Sequence, residues 1–403
     1  MPRILYVSYD GMLEPLGQSQ VLGYLAPLAV DHEIRLISFE KKQDAANGPL
    51  MSAMRDRLKA AGIRWTPYRY HKSPSALATA YDIAVAQSAI LTANPRPDII
   101  HARSYVPALM ALPAVKATRT KFLFDIRGFW ADERIEGGAW PAGGAMYRTV
   151  KSLEKQFFVA ADHIVTLTEA SARIVSGFDY LDGRLPPVTV IPTCADLDRF
   201  TLRPRRADRP FTFGYLGSVG AGYLFDETLE LFQAIRDVQP DAQLLVVNRN
   251  DHELIASSIR RAGVDAETIE VVSAEHSRVP ELVSRMDLAA AFYKPTFSAA
   301  GRAPTKLAEY LGCGVPCVGN SGVGDVAGLL RSRRVGVVMD GFDRESMQGA
   351  AVAAVALTRE PDIRERCARA AKDLFSLETG VERYDAIYRQ LSADRFPRPA
   401  SPA

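Results

Sequence analysis

"FTFGYLGSVGAGY", residues 211–223, decides how the chain is built. It runs from a strand-like stretch into a turn carrying Gly214, Gly217, Gly220 and Gly222, with a helical pattern behind it. Glycines let the backbone approach a ligand closely, and the free N–H groups of a following helix favour anions such as phosphate. The spacing is G-x-x-G-x-G rather than the dinucleotide fingerprint, and no acidic residue clearly closes the next strand. Taken alone, such a turn serves equally well as a tight bend.

Working outward, the downstream strand-like runs are "AQLLVVN" (242–248), "IEVVS" (269–273), "LAAAFY" (288–293), "PCVGN" (316–320) and "VGVVM" (335–339). Upstream lie "RILYVS" (3–8), "EIRLISF" (33–39), "DIIHA" (98–102), "KFLFDI" (121–126), "HIVTLT" (163–168) and "VTVIP" (188–192). Helical patterns separate most of them, beginning with "GQSQVLGYLAPLAV" (17–30). Strand–helix alternation of this kind predicts parallel, doubly wound sheets. At 403 residues the chain exceeds one ordinary core. The pattern breaks at "DRFTLRPRRADRP" (198–210), which predicts a linker. The expected fold is therefore α/β, with two Rossmann-like domains facing a central cleft. The expected boundaries are 1–204 and 205–375, followed by a C-terminal helix and polar tail over 376–403.

Composition narrows the function. A formal net charge of +2 argues against a protein built mainly to hold nucleic acid. Cys194, Cys313, Cys317 and Cys367 include one C-x3-C pair without nearby His or Cys, so free thiols are expected and a zinc site is not. The N-terminal "MPRILYVSYDG" enters a strand directly, without a signal-peptide pattern, and no apolar run reaches the ~20 residues a bilayer requires. A cytoplasmic protein is expected, with contact at the inner face of the plasma membrane compatible with the sequence.

In open α/β sheets, ligands bind beyond the carboxyl ends of strands. Two strand-to-helix segments there carry chemistry. In "FSAAGRAPTKLAEYLGCGVP" (297–316), Lys306 and Glu309 share a helix face just inside a proline-marked start. A helix start with a lysine suits a diphosphate, and Glu309 suits a ribose diol; a plain Lys–Glu helical pair is the alternative. In "KFLFDIRGFWADERIEGGAW" (121–140), Asp125, Arg127, Asp132, Glu133, Arg134 and Glu136 crowd beside Phe129, Trp130 and Trp140. A long charged-aromatic loop suits a hydroxyl-rich ligand such as a sugar, against a loop-internal ion-pair network. His101 ends a strand on the same side. The "DLD" at 196–198 reads as an ordinary turn. No Ser-His-Asp or Cys-His arrangement emerges, and no cluster has metal-ligand spacing.

Taken together, these turns resemble the retaining family-4 glycosyltransferases of the GT-B fold, over nearly the whole chain. "YDGMLEPLGQSQV" resembles that family's first glycine-containing loop, "VIPTCADLDRF" the segment before its linker, and "PTKLAEYLGCGVPCV" its donor-site helix. "FDIRGFWADERIEGG" is similar to a loop in a bacterial subgroup associated with cell-envelope polysaccharides. The sequence also departs from the family. Its first donor-helix glutamate falls at Gly301, and its basic diphosphate clamp at Ser218 and at Gly222 or Tyr223. Replacement cations are expected from Arg249, Lys294, Arg302 and Lys306.

The resemblance implies transfer of a sugar from a nucleotide-diphosphate sugar to a saccharide or lipid-linked acceptor, with retention and without metal or other cofactor. Asp125, Arg127 and Lys306 are the expected catalytic residues. Gly17, Gly217, Ser218, Arg249, Lys294, Pro304, Thr305, Lys306 and Glu309 are expected at the donor. Gln18, His101, Asp125, Trp130, Asp132 and Glu133 are expected at the acceptor. The helix "AMYRTVKSLEKQFFVAAD" (145–162) mixes Arg148, Lys151 and Lys155 with Met146, Tyr147, Leu153, Phe157 and Phe158, as a membrane-surface helix or a sheet-packed one would. A nucleotide-sugar epimerase and a non-catalytic binding subunit of the same fold are the alternatives.

Overall fold

The computed structural model describes residues 1–118, 120–204, 209–220, 222–275 and 277–395. Residues 205–208 of the expected linker and the polar tail from 396 lie outside the described residues. The chain divides into two compact units, Met1–Ile191 with the segment from Leu377, and Pro192–Ser376.

The first unit holds seven strands, all parallel: β1 (Arg3–Ser8), β2 (Glu33–Glu40), β3 (Arg64–Arg69), β4 (Ile99–Arg103), β5 (Lys121–Asp125), β6 (His163–Thr166) and β7 (Val188–Val190). Their order is β3-β2-β1-β4-β5-β6-β7. The second unit holds β8 (Thr212–Leu216), β9 (Gln243–Val247), β10 (Ile269–Val272), β11 (Leu288–Ala291), β12 (Cys317–Asn320) and β13 (Gly336–Met339), ordered β10-β9-β8-β11-β12-β13 and again parallel. Helices cover both faces of such sheets, which is why β4 and β8 are buried along their whole length. Strand order reverses between β1 and β4 in one sheet, and between β8 and β11 in the other. Those two switch points fix where each unit opens a crevice for a ligand.

Three local differences from the sequence reading have physical causes. Strand β3, "RWTPYR", is absent from that reading because Pro67 and its charges disguise it. It sits at a sheet edge, where a missing N–H costs no ladder bond. The expected helix over 17–30 is instead Pro15–Gly17, a π-helical stretch Gln18–Leu22, and Gly23–Leu28. The charged-aromatic loop contains a real helix, Trp130–Glu136, with Asp132 and Glu133 in its first turn, where the helix dipole favours acids.

The boundary between units also falls earlier than the Arg/Pro-rich segment. Ala195 bridges to Ser376, and Leu197 and Phe200 pack against Gly312, so this stretch is held by the second unit's core. At the other end, helix Leu377–Arg395 packs in the first unit against helix Gly23–Leu28, β4 and β5.

A buried carboxylate sets the first loop. Glu40, at the end of β2, accepts the N–H groups of Met12 (2.9 Å) and Leu13 (3.1 Å) and the hydroxyl of Ser38 (2.6 Å). Glu40→Ala leaves two buried N–H groups unpaired and should cost about 2–4 kcal/mol in a urea unfolding titration. Gly17 closes the same loop. A Cβ there would lie 2.0 Å from the Gly11 carbonyl oxygen, so no side chain fits.

Candidate functional site

In the second unit the switch-point turn leaves β8 through Gly217, whose φ of +105° suits glycine alone. A Cβ at Gly217 would stand 3.4 Å from Lys306 Nζ. Asn248, at the end of β9, ties the turn down by donating to the Gly217 carbonyl (2.9 Å) and accepting the Asp251 N–H (2.7 Å). The sequence reading missed Asn248, although it is visible as the polar residue closing "LLVVN".

Lys306 lies in the first turn of helix Thr305–Gly312, with Pro304 buried at the cap position. Its ammonium sits over three rings, 4.4 Å from the centroid of Tyr215, 5.1 Å from Tyr223 and 5.5 Å from Tyr293. Cation–π attraction offsets part of its lost hydration. Nζ nevertheless makes no hydrogen bond, to Glu309 or to anything else. The helical Lys–Glu pair is therefore not formed. Burial pulls the Lys306 ammonium down to about 7 and pushes the Glu309 carboxyl up to about 7. Both groups are buried and close enough to influence each other, and Lys306 lacks the hydrogen-bond partner that usually justifies burying a charge.

The remaining donor candidates separate by exposure. Arg302 is half-buried, stacks over Tyr293 at 5.1 Å and reaches the Gly222 carbonyl at 3.4 Å, so it stands beside Lys306. Lys294 donates its backbone N–H to Gly222 while its side chain is exposed. Arg249 is exposed and faces Glu275 at 3.7 Å. Ser218 is exposed and Thr305 half-buried.

In the first unit a cavity of about 950 Å³ opens beyond the carboxyl ends of β1, β2 and β4. Arg103, Arg127 and Trp130 line it. His101 and Asp125, expected to meet the acceptor, are buried and do not. Asp125 accepts the Tyr384 hydroxyl at 2.9 Å, and its Oδ2 lies 3.7 Å from Arg127, 3.7 Å from His101 Nε2 and 4.0 Å from Arg103. Burial alone would raise the Asp125 carboxyl, but Arg127, His101 and Arg103 together hold it below its usual range. Burial lowers His101, whose Nδ1 is 2.7 Å from the Tyr388 hydroxyl. Asp125 anchors the arginines that face the cavity, and His101 packs behind it. Arg127 takes a left-handed backbone, with φ of +60°.

The other acceptor candidates are engaged locally. Asp132 accepts the Tyr147 hydroxyl (2.9 Å) and Lys151 Nζ (3.1 Å), Glu133 is exposed, and Gln18 donates to the Leu13 carbonyl and accepts from Arg57, each at 3.4 Å. Helix Ala145–Ala160 buries Phe157 and Phe158 in the core, and Lys155 lies over Tyr180, while Met146 and Val159 of the same helix are exposed. The four cysteines are buried and free. Among the described residues, no group of three or more His, Cys, Asp and Glu is placed to hold a metal ion.

Comparison with known proteins agrees with this architecture. Residues 18–194 match the family model described as Glycosyl transferase 4-like domain. A search of curated proteins finds no match. Among solved structures, sucrose-phosphate synthase from Thermosynechococcus elongatus superposes with a TM-score of 0.70 at 14% identity, over 98% of this chain and 100% of that one. Anabaena Alr3699/HepE in complex with UDP-glucose gives 0.65 at 15%, over 97% and 100%. The lipopolysaccharide outer core galactosyltransferase WaaB gives 0.63 at 13%, over 96% and 99%. At such identities the likeness establishes the fold, which is GT-B.

Proposed function

We propose that this GT-B protein is a glycosyltransferase that moves a hexosyl group from a nucleotide-diphosphate sugar to an acceptor hydroxyl, with retention of configuration, in the synthesis of a cell-envelope polysaccharide or glycolipid. One observation carries the reading: the Lys306 ammonium is buried at a switch point, against a glycine turn and a helix start, with no hydrogen-bond partner. A diphosphate supplies the missing partner. The matched family model, and the nucleotide bound in the Alr3699/HepE structure, favour the same donor class.

In this reading the second unit holds the donor. Lys306, Arg302 and the helix start at Thr305 neutralise the two phosphates beside the Gly217 turn, and Glu309 accepts hydrogen bonds from the ribose diol. Gly301 offers no side chain to the donor sugar, so the tyrosines around Lys306 are left to bound its pocket. The first unit holds the acceptor in the cavity lined by Arg103, Arg127 and Trp130, with Asp125 and His101 as positioning residues. The bond from the anomeric carbon to the diphosphate oxygen breaks, and the bond to the acceptor oxygen forms on the same face. The acceptor proton passes to the departing diphosphate oxygen. The protein contributes charge neutralisation and positioning.

Calorimetry with UDP-, GDP-, ADP- and dTDP-sugars, followed by product analysis with and without acceptor, tests this. Binding of one donor and transfer only with acceptor present is expected. Turnover without acceptor would make the protein an epimerase, and binding without turnover a non-catalytic subunit. Among the described residues no helix is long and apolar enough to cross a membrane. Work at the inner face of the plasma membrane would therefore rest on surface contact or on the acceptor itself.

A further inference from the structure

The first-unit cavity has two chemically different parts. Its cations come from strand ends, turns and a short helix: Lys41, Lys72, Arg103, Arg127 and Arg134, five in all against two lining carboxylates, Asp10 and Glu14, and the buried Asp125 behind Arg103 and Arg127. Glu14 is taken up by Lys41, and Asp10 by Arg103 at 3.3 Å. Lys72 and Arg134 have no carboxylate partner among the described residues, and Arg134 rests over Trp130 at 5.3 Å. Arg103 is only 5% exposed, yet its Nη1 has no hydrogen-bond partner.

The apolar part comes from helices Ser75–Leu91, Tyr105–Thr118 and Ala145–Ala160, through residues such as Ile83, Leu109, Leu153 and Phe157. At the solvent edge Leu16 and Met146, both lining residues, remain 48% and 50% exposed. A free sugar would leave that apolar lining wet. A neutral lipid would leave the surplus positive charge and the Arg103 nitrogen unpartnered.

We infer that the acceptor is an anionic amphiphile: a saccharide joined through phosphate or diphosphate to an apolar chain. The anion meets Arg103, Arg127 and Lys72, the chain lies along the helix-borne residues, and it leaves past Leu16 and Met146. The assignment of this cavity to the acceptor rests on the transferase reading; the class of ligand rests on the lining alone.

The probe is n-decyl diphosphate, kept below its micelle concentration, compared with n-decyl glucoside and inorganic diphosphate. Trp65, Trp130 and Trp140 all lie in the first unit, so tryptophan emission reports this unit and not the second. The n-decyl diphosphate should bind at least tenfold more tightly than either comparison ligand. Lys72→Glu and Met146→Asp, both at exposed positions, should each weaken it at least fivefold. Far-UV circular dichroism and thermal unfolding of the same proteins serve as the folding control, and calorimetry with the nucleotide panel reads the donor site. Equal binding of inorganic diphosphate would identify a soluble phosphorylated acceptor, equal binding of the glucoside a neutral lipid, and either result overturns the inference. Absent binding, or variants that bind like the parent, overturn it too. Donor binding that fails while n-decyl diphosphate still binds would sink the transferase reading and leave this ligand class standing.

Discussion

Lys306→Met gives a more stable protein that holds its donor only weakly. The substitution keeps the length and apolar stem of the side chain and removes only a charge that burial disfavours. An unfolded lysine titrates near 10.5, and here burial brings the group to about 7. Since each tenfold change in protonation is worth about 1.4 kcal/mol, removing the charge should add a few kcal/mol near neutral pH. Thermal unfolding checks the gain. Calorimetry with UDP checks the loss, expected to be roughly a hundredfold in affinity, the worth of charge-assisted contacts to a phosphate. A variant that is stabilised and still binds UDP normally would remove Lys306 from the donor site.

The pH dependence separates the two buried groups. The unfolded state binds more protons than the folded one between about pH 7 and 10.5, so the Lys306 contribution to stability rises with pH across that window. The methionine variant should lose this rise. For binding, a diphosphate keeps Lys306 protonated, so it draws a proton in, and affinity falls as pH climbs above about 7. A ribose held by ionised Glu309 expels a proton, so affinity grows as pH rises through about 7. In the native protein the two effects oppose each other. Lys306→Met should bind more tightly as pH increases, and Glu309→Gln less tightly. Binding enthalpies measured in two buffers of different ionisation heat count the protons directly.

The second large effect belongs to the first unit. Asp125→Leu should destabilise the protein by about 3–5 kcal/mol, because buried Arg103 and largely covered Arg127 then share no carboxylate. Tyr384→Phe removes one hydrogen bond to the same carboxylate and should cost only about 1 kcal/mol. Urea unfolding of the pair distinguishes an anchoring role from a direct catalytic one. A catalytic Asp125 would give a leucine variant that is inactive but nearly as stable as the parent. The carboxyl sits below its usual range, so its contribution is present at neutral pH and is lost only on strong acidification.

Both doubly wound sheets were legible because their strands are short runs rich in β-branched and aromatic residues, separated by helical patterns and bounded by turn residues. Strand β3 was not, since an edge strand answers to one neighbour and tolerates a proline that an interior strand rejects. Lys306 was legible from its place just inside a proline-marked helix start. Its surroundings were not, because Tyr215, Tyr223 and Tyr293 come from separate segments that only the fold brings together. Asp125 and His101 were misplaced for a related reason. A strand end shows that a residue is near the crevice but not which way its side chain turns, and both turn inward toward Tyr384 and Tyr388. Glu40 was visible as the acid closing "LISFE", yet nothing local marks it as the anchor of a loop near residue 12.

Tyr384 and Tyr388, which complete the buried cluster around Asp125 and His101, reside on the last helix of the chain. A ribosome delivers them only after the entire segment Pro192–Ser376 has emerged. During synthesis the N-terminal sheet therefore waits with its charges open to water, while the later-made unit, contiguous in the chain, has every residue it needs. Vectorial production and order of completion run in opposite directions, and the unit started first is the one finished last.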